Sequence, residues 1–198
     1  MKYLILTLVG LLLGLGGANA GSNMTQVLST LPDGGYFMDM GINEHGLYSI
    51  TDLDGNPVPG SPFPSTRATC PPSDLRASPP MKPLSRPLIS GCVAPNEWVD
   101  WDSWKTAGRR LANWCAAGNM VPQRKILKWV VNGSEAYICN YAGDQNCDGN
   151  EYWNYMQTIA DKCTFVGCGW FLQGSGNKSL GRGIKGGKSD PFYVCNNV

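Results

Sequence analysis

The chain has 198 residues, with 16 Lys and Arg against 15 Asp and Glu and a single histidine, His45. A formal net charge of +1 gives no basic field for nucleic acid or an anionic membrane surface, so neither is expected as a partner. One histidine also leaves little material for Ser-His-Asp or Cys-His catalysis, which would have to use His45.

The chain opens like a secretory signal. Lys2 supplies the positive start, Leu4 to Leu15 the apolar run, and Ala18-Asn19-Ala20 a small-x-small cleavage site before Gly21. That run is shorter than the ~20 residues of a membrane span, and no later stretch is apolar enough to add one. Residues 1–20 are therefore expected to be removed and the protein to be secreted as a monomer. On a secretory product, an even set of eight cysteines reads as disulfides: Cys70, Cys92, Cys115, Cys139, Cys147, Cys163, Cys168 and Cys195. Zinc is the alternative. No C-x-x-C occurs and His45 lies outside the cysteine-rich part, so no metal and no cofactor are expected.

Residues 21–56 read as a β-rich lead. Tyr36-Phe37-Met38 and Leu47 to Ile50 look like strands around an Asn43-to-Gly46 turn. A lone hairpin is marginal in water, so it must dock or stay mobile. Residues 57–91 hold ten of the fourteen prolines and should be extended polyproline or irregular, a linker or a removable pro-region. Arg67 and Arg86 are the single basic cleavage points, and Cys70 would staple the segment to the C-terminal domain.

Residues 92–198 form the expected domain. Asp100 to Cys115 places Trp101, Trp104, Leu111 and Trp114 near helical spacing, interrupted by Gly108. Arg124 to Val131 and Ser134 to Tyr141 read as strands joined by Asn132-Gly133, the strongest hairpin signal present. Asn150 to Cys163 is a second helix, with Tyr152, Tyr155, Met156, Ile159 and Cys163 on one stripe. Gly169 to Gln173 and Phe192 to Asn196 read as strands. Between them, Gly174 to Gly187 carries six glycines and is expected to be an exposed basic loop. The fold class is thus α+β: a compact disulfide-stabilised domain with a small antiparallel sheet and two helices, preceded by the lead and the proline region. Cys139 ends a strand and Cys163 ends a helix, so their disulfides should tie helix to sheet.

Several motifs have bland explanations. Asp144-x-Asn146-x-Asp148-Gly149 copies half of a calcium loop, but Tyr155 stands where the closing glutamate belongs, and a helix-capping turn explains the same letters. Gly187-Lys188-Ser189 lacks the spacing of a phosphate loop. A catalytic carboxylate pair would come from Glu97, Asp100, Asp102, Asp148 or Glu151, most of which serve equally as caps. Trp98, Trp101, Trp104 and Trp153 could stack on sugars, although their spacing favours core packing. Asn23, Asn132 and Asn177 fit the N-glycosylation sequon.

The segment from 92 onward resembles small secreted cysteine-rich proteins of filamentous ascomycete fungi. The likeness rests on Tyr137-Ile138-Cys139-Asn140, Cys147, the helix from Glu151 to Cys163, Gly169-Trp170 and Leu180-Gly181-Arg182. More distantly it is similar to the fungal necrosis-inducing effector and virally encoded killer-toxin families, and departs from them in Cys168 and in a longer glycine stretch. The resemblance implies a disulfide-tied α/β domain acting outside the cell on a host or competitor. No shared catalytic motif comes with it. The expected function is therefore a secreted effector or toxin-like glycoprotein that binds an extracellular protein or glycan. Its contact surface is expected at Lys178, Arg182, Lys185 and Lys188, with Trp170 nearby. A hydrolase or lectin-like protein acting on cell-wall polysaccharide is the alternative.

Overall fold

A computed structural model describes residues 24–41, 47–59, 63–64, 89–93, 96–173 and 177–196. Helix α1 (Met24–Thr30) leads into strands β1 (Gly34–Asp39), β2 (Leu47–Tyr48), β3 (Ile50–Asp52), β4 (Phe63–Pro64) and β5 (Ile89–Cys92). Helix α2 (Trp101–Ala116) is followed by β6 (Met120–Val121), β7 (Lys125–Val131), β8 (Ser134–Asn140) and β9 (Gln145–Asn146). Helix α3 (Gly149–Cys163), β10 (Gly169–Leu172), β11 (Lys178–Ile184) and α4 (Pro191–Cys195) complete the chain order. The signal segment, Asn23 and Cys70 lie outside the described residues.

The fold is mixed α+β around an antiparallel sheet of order β3-β1-β7-β8-β11-β10-β5. It is larger than the few strands legible in the sequence, and it has four helices among the described residues. Its seed is the β7–β8 hairpin. Asn132 and Gly133 both take positive φ, 45° and 80°, as the tight hairpin turn with matching twist requires. Val131 then faces Ser134, and pairing runs to Ile126 opposite Cys139. Every residue of β8 is buried, which places it at the centre of a sheet covered on both faces.

Strand alternation sorts side chains into two cores. Leu127, Val131, Ala136 and Ile138 pack under α2 and α3. Ile126, Val130, Tyr137 and Cys139 face the other way, toward Val27, Leu28 and Leu31 of α1 and Val194 of α4. Helix α2 buries Trp104, Ala107, Gly108, Leu111, Ala112 and Cys115, the stripe of a helix lying on a sheet. Asp100 caps it by accepting from Ser103 N at 2.9 Å. Gly108 does not break the helix, because a Cβ there would lie 2.8 Å from the Trp153 ring. The Trp153 and Tyr152 rings of α3 occupy the space a side chain there would need.

The lead is part of the same sheet. Strand β1 pairs with β3 on one side and with β7 on the other, from Gly34 opposite Val130 to Asp39 opposite Lys125. At the far edge, β5 pairs with β10, so the sheet crosses the boundaries that composition suggests. Two expectations at the C-terminal end are corrected. Phe192 to Asn196 is not a strand: Asp190 accepts from Phe192 N at 3.0 Å and Pro191 opens a helix, a start signal that outweighs the β-prone letters. The expected loop from Gly174 to Gly187 is overturned over its described part, since β11 (Lys178–Ile184) runs through it between β8 and β10; 174–176 lie outside the described residues.

Among the described residues, three disulfides lock this arrangement. Cys92–Cys163 ties β5 to the end of α3, and Cys139–Cys195 ties β8 to α4. Cys115–Cys147 joins the end of α2 to the turn before α3. Cys168 is buried and has no disulfide partner among the described residues. Among the described residues no helix is long and apolar enough to cross a membrane.

Candidate functional site

The expected basic contact surface does not exist as one surface. Lys178 and Arg182 alternate with Leu180 on the β11 face under α2 and α3, and both are buried. Lys178 Nζ bonds Glu151 Oε2 at 2.5 Å and the Asn146 carbonyl at 3.3 Å. Lys185 donates to the Leu31 carbonyl at 2.8 Å. Lys188 is exposed, while Trp170 lies half-buried against the core beneath α1 and α4. Two of the glycines that suggest a loop, Gly181 and Gly183, are there for contact. A Cβ on Gly181 would meet the Tyr137 ring at 2.3 Å, and one on Gly183 would meet the Ser189 carbonyl at 2.1 Å.

Four of the five carboxylates proposed from sequence are held in structural roles. Asp100 caps α2 and Asp148 caps α3, accepting from Asn150 N at 2.8 Å. Asp144 accepts from Gln123 N, so the half calcium loop serves as a hydrogen-bonded turn and cap. Glu97 takes the backbone N–H groups of Lys188 and Ser189 and the Ser189 hydroxyl. Burial works against its charge, but those three bonds outweigh it and hold the carboxyl below the ordinary glutamate value. Glu151 is held by Lys178 and Gln173, and Asp102 is exposed. Asn132 and Asn177 are exposed, but the Asn132 amide donates to Ser103 Oγ at 3.4 Å within its tight turn.

What the fold does assemble is an aromatic cleft between α2 and α3, with a volume of about 210 Å³. Trp101 and Trp104 from α2 lie 5.1 Å apart, and Trp104 meets Trp153 of α3 edge-on at 5.5 Å. Phe165, from the turn after α3, stacks on Trp101 at 4.0 Å and is 61% exposed. Lys105 stands at the rim, its Nζ 5.2 Å from the Trp101 ring centre. Met156, Gln157 and Ala160 complete the α3 wall, and Arg182 lines the site from β11. Among the described residues, the lining holds two cations and no carboxylate.

Arg182 is fixed from two directions. Its Nε donates to the Gly167 carbonyl at 2.8 Å and its Nη2 to the Thr164 carbonyl at 2.9 Å. Thr164 has φ of 66°, an unfavourable region for a β-branched residue, so the guanidinium holds a strained turn in place. The Arg182 Nη1 is buried and has no hydrogen-bond partner among the described residues. Burial pulls its pKa down, against the opposing pull of Tyr152 and Cys168. Nearby, the Trp104 indole N–H donates to Tyr152 Oη at 3.0 Å, and burial raises that phenol well above its ordinary value.

A second buried polar group lies on the opposite sheet face. Lys128 Nζ bonds Glu135 at 2.7 Å and Asp190 at 3.1 Å, all three fully buried. Burial, together with the adjacent Asp190 charge, pushes the Glu135 carboxyl up to about 8 against the pull of Lys128. Asp190 also accepts from Gly186 N and Phe192 N, which anchors the turn between β11 and α4. The role is structural, and the sequence signal for it is two charges inside otherwise apolar strands.

The tryptophans of the cleft are named in the sequence, but their helical spacing suits core and cleft alike. Phe165 and the inward aim of Arg182 carry no local signal, because only the sheet register brings β11 beneath α3 and Arg182 against Trp104. No protein-family model, no curated protein and no solved structure matches this chain.

Proposed function

We propose that the protein is a secreted, disulfide-stabilised binding protein of effector or toxin type. It engages an extracellular host or competitor target through the aromatic cleft between α2 and α3. The observation that carries this reading is the cleft itself. Trp101, Trp104, Trp153 and Phe165 surround an unfilled concavity rather than packing it shut. Aromatic-lined concavities with a few placed polar groups are the usual form of a ligand site. The disulfides hold its walls, since Cys115–Cys147 fixes the end of α2 and Cys92–Cys163 the end of α3. A polysaccharide hydrolase is disfavoured because no carboxylate stands among the described residues lining the cleft and the reaction needs two flanking the bond.

The test is expression with the native leader, recovery of the protein from the medium, and application to plant tissue and competitor cultures. Wild-type protein should elicit a response, and the folded variant Phe165→Ala should lose it. A protein retained inside the cell, or a Phe165→Ala variant with full activity, overturns the reading.

A further inference from the structure

We propose that the ligand of this cleft is a small carboxylate carried on one flat, apolar ring. The proposal rests on the binding function above and names the ligand class. Three observations carry it. First, the charge is one-sided: Lys105 at the rim and Arg182 beneath, with no acid among the described lining residues. Second, Arg182 is built to hold a charge and is incompletely used. Its Nε and Nη2 are committed to the carbonyls of Gly167 and Thr164, while Nη1 is buried and unpartnered among the described residues. A buried donor without a partner is costly, and an anion there would satisfy it with a charge-assisted hydrogen bond. Third, the walls are rings. Trp101, Trp104, Trp153 and Phe165 present faces and edges suited to offset or edge-on packing.

Size and polarity narrow the class. A volume of about 210 Å³ lies below the roughly 300–1,000 Å³ of drug-sized pockets, so one ring fits. Gln157 is the one uncharged hydrogen-bonding side-chain amide in the described lining, and its nitrogen already donates to Asp161 Oδ1 at 2.9 Å. A sugar acid would bring several hydroxyls with few partners, each costly to desolvate. An aryl carboxylate brings none.

The test uses the full secreted protein and calorimetric titration, with tryptophan fluorescence as the second readout. The probes are benzoate, phenylacetate, benzamide and galacturonate. The two aryl carboxylates should bind and quench fluorescence. Benzamide, which keeps the ring and lacks the charge, should bind about tenfold more weakly or not at all. Galacturonate should bind more weakly than benzoate. Lys105→Glu, at the half-exposed rim, should weaken benzoate by about tenfold or more while leaving thermal unfolding unchanged. Phe165→Ala should weaken both aryl carboxylates. Equal binding of benzoate and benzamide, preference for galacturonate, absence of any binding to the folded protein, or wild-type affinity in Lys105→Glu overturns the ligand class. A wild-type protein that still elicits its Phe165-dependent response while failing to bind aryl carboxylates separates this failure from failure of the binding function.

Discussion

The Arg182 guanidinium carbon lies 4.8 Å from the centre of the Trp104 ring. One side chain thus joins the central sheet, the α2 helix and, through the Thr164 and Gly167 carbonyls, the turn that closes α3. Lysine keeps the charge and loses the fork. Arg182→Lys leaves at least one buried carbonyl without a donor, at a cost of about 1–3 kcal/mol, and releases the strained Thr164. The expected result is a loss of roughly 2–4 kcal/mol in denaturant unfolding, with a lower midpoint and an unchanged slope.

Glu135 makes stability depend on pH. Its folded value of about 8 lies above the ordinary 4.5, so folding takes up a proton across that interval. The contribution is full below about 4.5 and is lost as pH rises through about 8, with a slope of at most about 1.4 kcal/mol per pH unit. Lys128 acts outside this window. Burial lowers its pKa, but Asp190 and Glu135 outweigh that and leave it above 10.5. Thermal midpoints measured between about pH 5 and 8 should fall in the wild type, and the fall should be shallower in Glu135→Gln. Parallel curves for the two proteins would refute the assignment.

Gly183 tests why the C-terminal third misleads as sequence. Its Cβ position is filled by the backbone of Ser189, which cannot move without disturbing the Asp190–Lys128 pair. Gly183→Ala should cost on the order of 1–3 kcal/mol through overpacking, although alanine ordinarily improves on glycine within a strand. Denaturant unfolding of the purified variant measures it.

The same residue marks what composition can and cannot reveal. The β7–β8 hairpin, α2, α3 and β10 are legible because each carries its own signal: Asn132-Gly133, capping aspartates, or apolar spacing at a fixed period. β11 is not legible. Glycine in a strand means close approach by a neighbour, and that neighbour, Tyr137 or Ser189, is set by tertiary packing. Reading Gly181 and Gly183 as flexibility turns Lys178 and Arg182 into surface charges, whereas strand alternation places both under the helices. The cleft is half legible. Its tryptophans are visible, but its charge depends on β11 lying beneath α3, where Arg182 reaches Trp104 of α2.

The disulfides should differ little in value. Cys92–Cys163 closes a separation of 71 residues, Cys139–Cys195 one of 56 and Cys115–Cys147 one of 32. Loop-closure entropy varies only logarithmically, so each contributes about 4 kcal/mol, with Cys92–Cys163 the largest by less than about 1 kcal/mol. Paired replacement by serine, followed by thermal unfolding, should give three similar losses. Cys168 should resist alkylation in the native protein, because it is buried and burial pushes its thiol up to about 11.

Truncation distinguishes a removable pro-region from a structural one. A chain beginning at Ile89 lacks α1, β1 and β3, and with them Val27, Leu28, Leu31, Tyr36, Met38 and Ile50 of the second core. Burying such side chains contributes about 1.5–3 kcal/mol each, together on the order of ten kcal/mol, the size of a small domain's whole stability. The truncation also bares the β7 edge along the pairing from Lys125 to Val130, an unprotected edge prone to association, and uncovers Lys128 beside its buried partners. The truncated chain should lose its near-ultraviolet dichroism and aggregate even with all three described disulfides intact. A monomeric truncated chain with native dichroism would make the lead dispensable after folding. It would also require the second core to close over the sheet without α1.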